Sequence, residues 1–586
     1  MKQHKEINTR IVIKRQNIIQ ACLILFLIII LNLFSARIFY RFDLTKEKRF
    51  SITETSKKIL SNLDDKVYVE VYLEGENLPF ELVRLKKTVK EFLDNLSSYS
   101  KNIDYEFVNP FKGKNQEDQW NITRELIRKQ LYPTEFQVAA DGSFSKRMIF
   151  AGAIIKHNQN EYAVNFLNNN VLTANTKNVS LSETELERDF IHAIWMLSRK
   201  TVQKIAFLEG HDELDEDQTY DIMVSLSKYY QIDRLTMNRQ LHALDEYSAV
   251  VIAKPQEKFS DHDKFIIDQY IMAGGSVLWL VEWLKIDMDS LATKPVEMAM
   301  LNDIRISDQL FKYGVRINPD LIQDLTCLRI PVNVGTIDGQ SNFQPIPWFY
   351  FPVIIPDTLS NHQLLKNLEP MRTHFVSSID TVGEDTNIKK TILLRTSEYS
   401  KSLTFPMQVS LIDLMREKPD IKTFNKQHIP IAVLLEGVFQ SAFKNRFTLD
   451  SYENAENFEF LEESKPNTKM IVISDGDFIR NEVKNFGGKR KPLKLGEDKY
   501  YAEQYMPGNS QFIINCINYL CADNDFITIR MRETKIRLLE NTKIKQQKSF
   551  WIYLNSLLPV VLIIIFGFTV IIIRKIKFKN IKSLNL

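Results

Sequence analysis

The sequence predicts a mixed α/β protein, α+β in parts, carried between two transmembrane helices. Three observations lead there. A charge-free apolar run lies near each end, strand-like and helix-like stretches alternate between them, and no internal repeat or low-complexity tract interrupts the pattern. At 586 residues the chain is too long for one core, so several domains are expected. Hydrophobic residues make up 44% and charged residues 25%, a balance that folds rather than stays disordered. A net charge of +3 over this length argues against a nucleic-acid binder, which usually shows a concentrated basic face. The four cysteines, Cys22, Cys327, Cys516 and Cys521, form no CxxC, so neither a zinc ribbon nor a redox motif is expected, and no metal or cofactor is.

The first apolar run, Ile18 to Phe34, becomes long enough to cross a bilayer when extended to Tyr40, with Arg37 snorkelling. It follows a basic leader, residues 1–17. A cleaved signal peptide is the competing reading, but Phe34 and Ala36 make a poor small-x-small cleavage site. The second run falls within residues 551–573, with Trp551 and Tyr553 at its entry and Pro559 tolerated as a mild kink. Two spans place both termini on one side and the body on the other. Charge leaves the side open. Arg574, Lys575, Lys577, Lys579 and Lys582 favour a cytoplasmic C-terminal tail (574–586), yet Lys543, Lys545, Lys548 and the basic residues after Arg37 oppose them. An external body is the preferred reading, since long domains translocate with little regard to charge.

Within the body, residues 41–180 form a membrane-proximal α/β domain. Lys66 to Leu73 alternates like a half-buried strand, Glu81 to Tyr99 carries Leu82, Leu85, Val89, Phe92, Leu93 and Leu96 on one helical face, and Ile103 to Val108 is a strand. The unit has a thioredoxin-like look without redox cysteines. A hairpin is expected between Phe136 to Ala140 and Met148 to Lys156, with Glu161 to Phe166 as a third strand. Residues 181–525 form a second α/β domain. Ser182 to Glu185 fits a capping box opening a helix through Leu197. Strands at Lys204 to Leu208, Ala249 to Ala253 and Ser276 to Val281 alternate with helices at Tyr220 to Tyr230 and His262 to Met272, which implies a parallel sheet covered on both faces. The stretch 285–430 is less regular. Strands resume at Ile429 to Leu435 and Lys469 to Ile473, followed by a helix at Asn509 to Leu520, and residues 526–550 return to the membrane.

Two strand ends are candidate ligand sites. Glu209-Gly210-His211-Asp212 lies where α/β ligands commonly sit, although the acidic run that continues through Asp217 also reads as a solvated loop. Asp475 and Asp477, two apart around Gly476, could hold a divalent cation. They also read as a tight turn in which Asp475 bonds its own backbone and Gly476 takes positive φ. Neither a P-loop nor a nucleophile elbow is present, and Val250-Val251-Ile252 runs into Ala253-Lys254-Pro255 where a nucleophile would stand. Enzymatic activity is not expected.

After the first span comes the collar R-x-D-L-T-x-E-K-R-x-S-I: Arg41, Asp43, Leu44, Thr45, Glu47, Lys48, Arg49, Ser51 and Ile52. It resembles the signature of the GldG family of gliding-motility proteins and their bacterial relatives, auxiliary (substrate-binding) components of ABC-type transporters. K-I-A-F-L-E-G-H-D-E, G-G-S-V-L-W-L-V, S-D-G-D-F-I-R-N and the pre-span R-M-R-E-T-K-I-R-L-L-E match in order, while residues 285–430 depart. The resemblance implies a bacterial inner-membrane anchor with cytoplasmic termini, a periplasmic body, a GldF-like permease partner and a GldA-like ATPase partner. It also implies a glutamine-amidotransferase-like second domain without its catalysis. A structural scaffold of the gliding or secretion envelope machinery, without transported ligand, is the rival expectation.

Overall fold

The computed structural model describes residues 18–20, 22–30, 52–75, 78–140, 143–167, 175–199, 202–337, 339–356, 362–365, 368–383, 387–412, 420–444, 458–521 and 541–582. It divides into two units, Met1–Arg532 and Glu533–Leu586.

Beyond the apolar segment near its start, the first unit continues with helix α1 (Glu54–Ser61), whose cap is Thr53: its hydroxyl accepts the Ser56 N–H at 3.1 Å. Strand β1 (Val67–Val71) turns Val67, Val69 and Val71 inward against the apolar stripe of α2 (Phe80–Tyr99). Strand β2 (Ile103–Phe107) pairs parallel with β1, completing the expected βαβ unit. Helix α3 (Gln116–Arg128) was not expected; it buries only Thr123 and Leu126, too narrow a stripe to stand out in sequence. Strands β3 (Pro133–Ala140) and β4 (Ser143–Phe150) form a hairpin, and β5 (Gly152–His157) and β6 (Asn160–Asn165) form another. The single strand expected over Met148 to Lys156 is therefore two. The break falls at Ala151, just before Gly152, where an added Cβ would come 2.5 Å from the Leu131 side chain and from the Val164 carbonyl. The sheet order is β2-β1-β5-β6, with β5 antiparallel to both neighbours. Helix α4 (Asn175–Ser198) covers this sheet and begins two turns before Ser182, so the predicted capping box lies inside a helix.

The larger sheet follows. Strand β7 (Lys204–Glu209) leads through α5 (Glu216–Ser227) to β8 (Gln231–Thr236) at the edge. The chain then crosses to β9 (Tyr247–Ala253), α6 (Asp261–Met272) and β10 (Ser276–Leu280). The irregular stretch contains a β-rich insert. Strand β11 (Asp320–Asp324), the long hairpin β12 (Cys327–Ile337) and β13 (Gln340–Ile354), and later β15 (Ser400–Thr404) surround Trp348, Phe351 and Phe375. Between them β14 (Ile388–Arg395) leaves the insert to join the main sheet, followed by β16 (Pro430–Gly437), β17 (Thr468–Ile473) and helix α7 (Gly508–Leu520).

The order is β14-β16-β17-β10-β9-β7-β8. Five strands, β17 through β8, run parallel, whereas β16 is reversed and pairs antiparallel with both β17 and β14, so the sheet is mixed rather than wholly parallel. Period-two alternation sends Val251, Leu278 and Ile471 to one face beneath α5 and α7, and Val250, Trp279 and Val472 to the other beneath α6. Each aliphatic side chain so enclosed contributes about 1.5–3 kcal/mol.

The second unit is described as one helix, α8 (Asn541–Lys582), with Pro559 inside it. Its stretch Gln547–Ile576 is long and apolar enough to cross a membrane. At a ~1.5 Å rise per residue it spans about 45 Å, more than the ~30 Å hydrocarbon core. Leu557, Ile563 and Phe566 are exposed along it. The predicted first span is not matched by a helix of that length. Ile18–Ile30 is an apolar helix shorter than a bilayer requires, and residues 31–40 lie outside the described residues.

Candidate functional site at the carboxyl edge of the sheet

Strand β9 ends at Ala253, and the next residue, Lys254, has φ +55, a left-handed conformation that costs a side-chain-bearing residue about 1–2 kcal/mol. The surroundings enforce it. The Lys254 N–H donates to the Leu280 carbonyl at 2.8 Å, and the ammonium donates to Asp477 Oδ2 at 2.6 Å and meets Glu282 Oε2 at 2.8 Å. Glu282 follows β10 and Asp477 follows β17, so three neighbouring parallel strands each send one charge to this point. Their side chains are only 12%, 3% and 10% exposed, so the charges must neutralise one another.

Asp475 caps a short 3₁₀ turn, Gly476–Ile479. Its carboxylate accepts the Asp477 N–H at 2.9 Å and the His374 N–H at 2.8 Å. The expected self-bonding of Asp475 is present; the expected positive φ at Gly476 is not. Gly476 lacks a side chain for another reason: a Cβ there would lie 2.6 Å from Lys254 Cγ and 2.8 Å from its Cβ. Burial, reinforced by the Asp477 charge, pushes Asp475 well above the usual carboxylate range. Burial acts on Asp477 too, but Lys254 and then Arg480, whose Nη1 is 3.2 Å away, hold it below that range. Glu282 is pushed up to about 8 by burial, which Lys254 only partly offsets. Lys254 itself stays a cation, since Asp477 and Glu282 outweigh its burial. The divalent-cation alternative finds no support, because the Asp477 oxygens are occupied by Lys254 and Arg480. Among the described residues no group of three or more His, Cys, Asp or Glu is placed to hold a metal.

The loop after β7 is acidic and largely solvated at Asp212, Asp215 and Glu216, but His211 is buried within it. Its ring stacks on Phe259 at 3.8 Å, with Nδ1 3.2 Å from Glu213 and Nε2 3.3 Å from Asp263. Burial works against the imidazolium, but the two carboxylates prevail and push His211 up to about 9. The His211 carbonyl accepts the N–H groups of Gln256 and Glu257, tying the β7 loop to the β9 loop. Glu209 turns instead to the Arg234 guanidinium, which also reaches Thr219 and the Leu214 carbonyl. The four predicted ligand residues thus fall into three separate groups: Glu209 with Arg234, His211 with its carboxylates, and Asp475 and Asp477 beside Lys254. The predicted collar residues Arg41, Asp43, Leu44, Thr45, Lys48, Arg49 and Ser51 lie outside the described residues.

Two clefts open at this edge and share Arg480. The larger, about 770 Å³, has apolar walls that include Leu328, Ile330 and Phe351, with Arg372 and His374 among its polar lining. Arg372 Nη2 lies 3.3 Å from His374 Nε2 and 3.2 Å from Asp498. Burial, then the neighbouring guanidinium, keeps His374 well below the ordinary imidazole range, hence neutral. The smaller cleft, about 490 Å³, is lined by Glu213, Lys254, Gln256, Glu282, Lys285 and Glu297 among others. It meets the loops after β7 and β9, where the strand order reverses, the place where open α/β sheets bind ligands. Lys254 and Glu282 were missed in sequence although each is a charge that ends a buried apolar strand, a pattern that could have marked them. Arg372 and His374 come from the irregular stretch and carried no such signal.

The family described as "ABC-type uncharacterized transport system" matches residues 202–516, which is more than half of the 586 residues. The chain belongs to that family. It is an auxiliary component of an ABC-type transport system, and the matched span begins just before β7 and ends within α7. A "Domain of unknown function (DUF7088)" matches residues 46–156, a stretch that includes α1 through β4. No curated protein matches. Among solved structures, the chain is similar to "mmIFT52 N-terminal domain" (14% identity, 57% of this chain and 100% of that one, TM-score 0.30). It is also similar to a "Putative thua-like protein" from Parabacteroides merdae (10% identity, 55% and 90%, TM-score 0.24). At these scores neither likeness bears on function.

Proposed function

We propose that this chain is a membrane-anchored, non-catalytic and substrate-binding subunit of an ABC-type transporter that serves bacterial gliding motility. Its body lies in the periplasm and its termini in the cytoplasm. The observation that carries the reading is the family match over residues 202–516 in a chain that also ends in a membrane-length apolar helix. Ile18–Ile30, continued to residue 40, supplies the second span, and a GldF-like permease and a GldA-like ATPase are the partners. The order β2-β1-β5-β6 with β5 reversed is what a thioredoxin-like first domain would have, and the five-strand parallel core suits an amidotransferase-like second domain. Absence of catalysis is supported by Lys254: its amine, charged and already paired with two carboxylates, has no free lone pair for attack.

Purification of the full chain from native membranes in mild detergent, with partners identified by mass, tests this. Stoichiometric recovery of a permease and an ATPase is expected. Recovery of envelope structural proteins without either subunit would sink the transporter reading in favour of a scaffold, and reporter fusions placing the body in the cytoplasm would sink the topology.

A further inference from the structure

The smaller cleft contains more unmet polar chemistry than its position alone requires. Three buried atoms from its lining residues have no hydrogen-bond partner among the described residues: Glu282 Oε1, Glu297 Oε2 and the Gln256 side-chain nitrogen. Folding strips such atoms of their hydrogen bonds to water, and native proteins leave few of them unmatched. Glu282 is only 2% exposed, and its other oxygen is committed to Lys254. The frame around these atoms is fixed. Asn302 donates to the Glu282 and Pro255 carbonyls at 2.9 and 3.1 Å, while the Gln256 backbone donates to His211 and accepts from Lys285 at 2.9 Å. Glu297 stands on the short strand Val296–Met298, paired with Gln408–Ser410.

The charges of the lining are unequal. Asp212, Glu213, Glu282, Asp287 and Glu297 line the cleft beside three cations, Lys254, Lys285 and Arg480, and Glu213 is already met by His211. All three cations already have acceptors: Lys254 has Glu282 and Asp477, Lys285 has the Gln256 carbonyl, and Arg480 has Asp477. Two carboxylate oxygens and one amide N–H remain. Glu297 Oε2 calls for an N–H donor on a cation, Glu282, pushed up to about 8, would exchange its proton for one, and the amide calls for an acceptor beside it. A volume of about 490 Å³ admits a small polar molecule of monosaccharide size.

We propose that this cleft binds a small polar amine, its ammonium held by Glu282 and Glu297 and an adjacent hydroxyl or carbonyl oxygen held by the Gln256 amide. Amino sugars and amino alcohols are the chemical class. The proposal deepens the substrate-binding part of the transporter reading and rests on that reading only for its physiological use. Lys254 contributes by holding Glu282 in place, which makes it a positioning residue.

Calorimetric titration of the full chain in mild detergent, with glucosamine and ethanolamine as probes and glucose as the uncharged control, tests it. Saturable one-to-one binding of glucosamine is expected, with none for glucose at the same concentrations. Loss of one charge-assisted bond in Glu297→Gln should weaken binding about ten-fold or more, and Glu282→Gln should weaken it at least as much. Glu297 is the less buried of the two, so Glu297→Gln carries the test if Glu282→Gln fails to fold. Absence of saturable binding by both amines, equal binding of glucose, or an unchanged affinity in Glu297→Gln would each overturn the proposal. Partner recovery from native membranes, measured on the same Glu297→Gln variant, separates the two readings. Partners retained without amine binding by the parent chain sinks only the cleft assignment; amine binding without partners sinks only the transporter.

Discussion

Replacing Lys254 by alanine removes the one cation shared by Glu282 and Asp477, whose side chains are 3% and 10% exposed. Breaking a buried ion group by deleting one partner costs about 3–5 kcal/mol, because the remaining charges stay buried without compensation. Arg480 stays beside Asp477, which places the expected loss near the lower end of that range. Alanine inherits the strained φ of +55, whereas glycine does not, so Lys254→Gly should be about 1 kcal/mol less destabilised than Lys254→Ala. The loss should also depend on pH. Asp477 is held below its unfolded value, so its contribution is full at neutral pH in the parent chain and is lost as pH falls through its folded value. Glu282, pushed up to about 8, acts in the opposite sense and costs stability as pH rises from its unfolded value toward 8. Without Lys254 both carboxylates prefer to be protonated, and the gap between parent and variant should narrow steadily from pH 7 to pH 4. Urea titration of the full chain in mild detergent, followed by the fluorescence of Trp279 and Trp283, measures it. A loss below about 1 kcal/mol, or a gap independent of pH, would refute the account of this lysine as the keystone of a buried charge group.

Three further outcomes arise from neighbouring contacts. His211 is pushed up to about 9 from 6.5, so its contribution is full below pH 6.5 and disappears as pH rises through 9. The ceiling is about 3 kcal/mol, and thermal melts between pH 6 and 10 should fall more for the parent chain than for His211→Asn, which keeps only the loss that Glu282 brings as pH rises toward 8. In Gly476→Ala the new Cβ would press on the Lys254 side chain at 2.6 Å, and a loss of about 1–3 kcal/mol in the same urea titration is expected. Asp324, fully buried, accepts hydrogen bonds from Thr326, Ser397 and Ser400; Asp324→Ala strands those donors and should cost about 3 kcal/mol or more, measured in the same way.

The elements that could be read in the sequence are those whose burial imposes a period. Strands β7, β9, β10 and β17 are apolar runs because both faces are covered, and α2 shows its stripe because one face is. Strand β8 (QIDRLT) escaped notice because an edge strand is only half covered. The long hairpin of the insert escaped for another reason. Pro331 and Gly335 interrupt β12, and Pro345, Pro347 and Pro352 interrupt β13, all of them signals that usually end strands. Here register shifts within the pairing absorb some of them. The site was legible only at its strand ends. Asp475 and Asp477 announced themselves beside an apolar run, and Arg480 lies only three residues beyond Asp477, but their other partners arrive from positions 254 and 374, which nothing local in the sequence joins to them.

The strain at Lys254 bears on how this edge of the sheet works. A left-handed residue at the end of a parallel strand can serve to lift a reactive side chain into solvent. Here the same backbone turn directs the side chain inward onto Glu282 and Asp477, where its amine is kept charged. The strain therefore fixes the position of a charge, and Gly476, with no side chain to interfere, lets β17 approach closely enough to complete the group. Arg480 extends this fixed group to both clefts, since it shares Asp477 with Lys254 and lines each of them. A ligand in either cleft that drew Arg480 away would leave Asp477 more dependent on Lys254, and so would loosen the hold of Lys254 on Glu282. The two clefts are thus joined through one carboxylate, by a path short enough for a double-mutant cycle between Arg480 and Glu282 to measure.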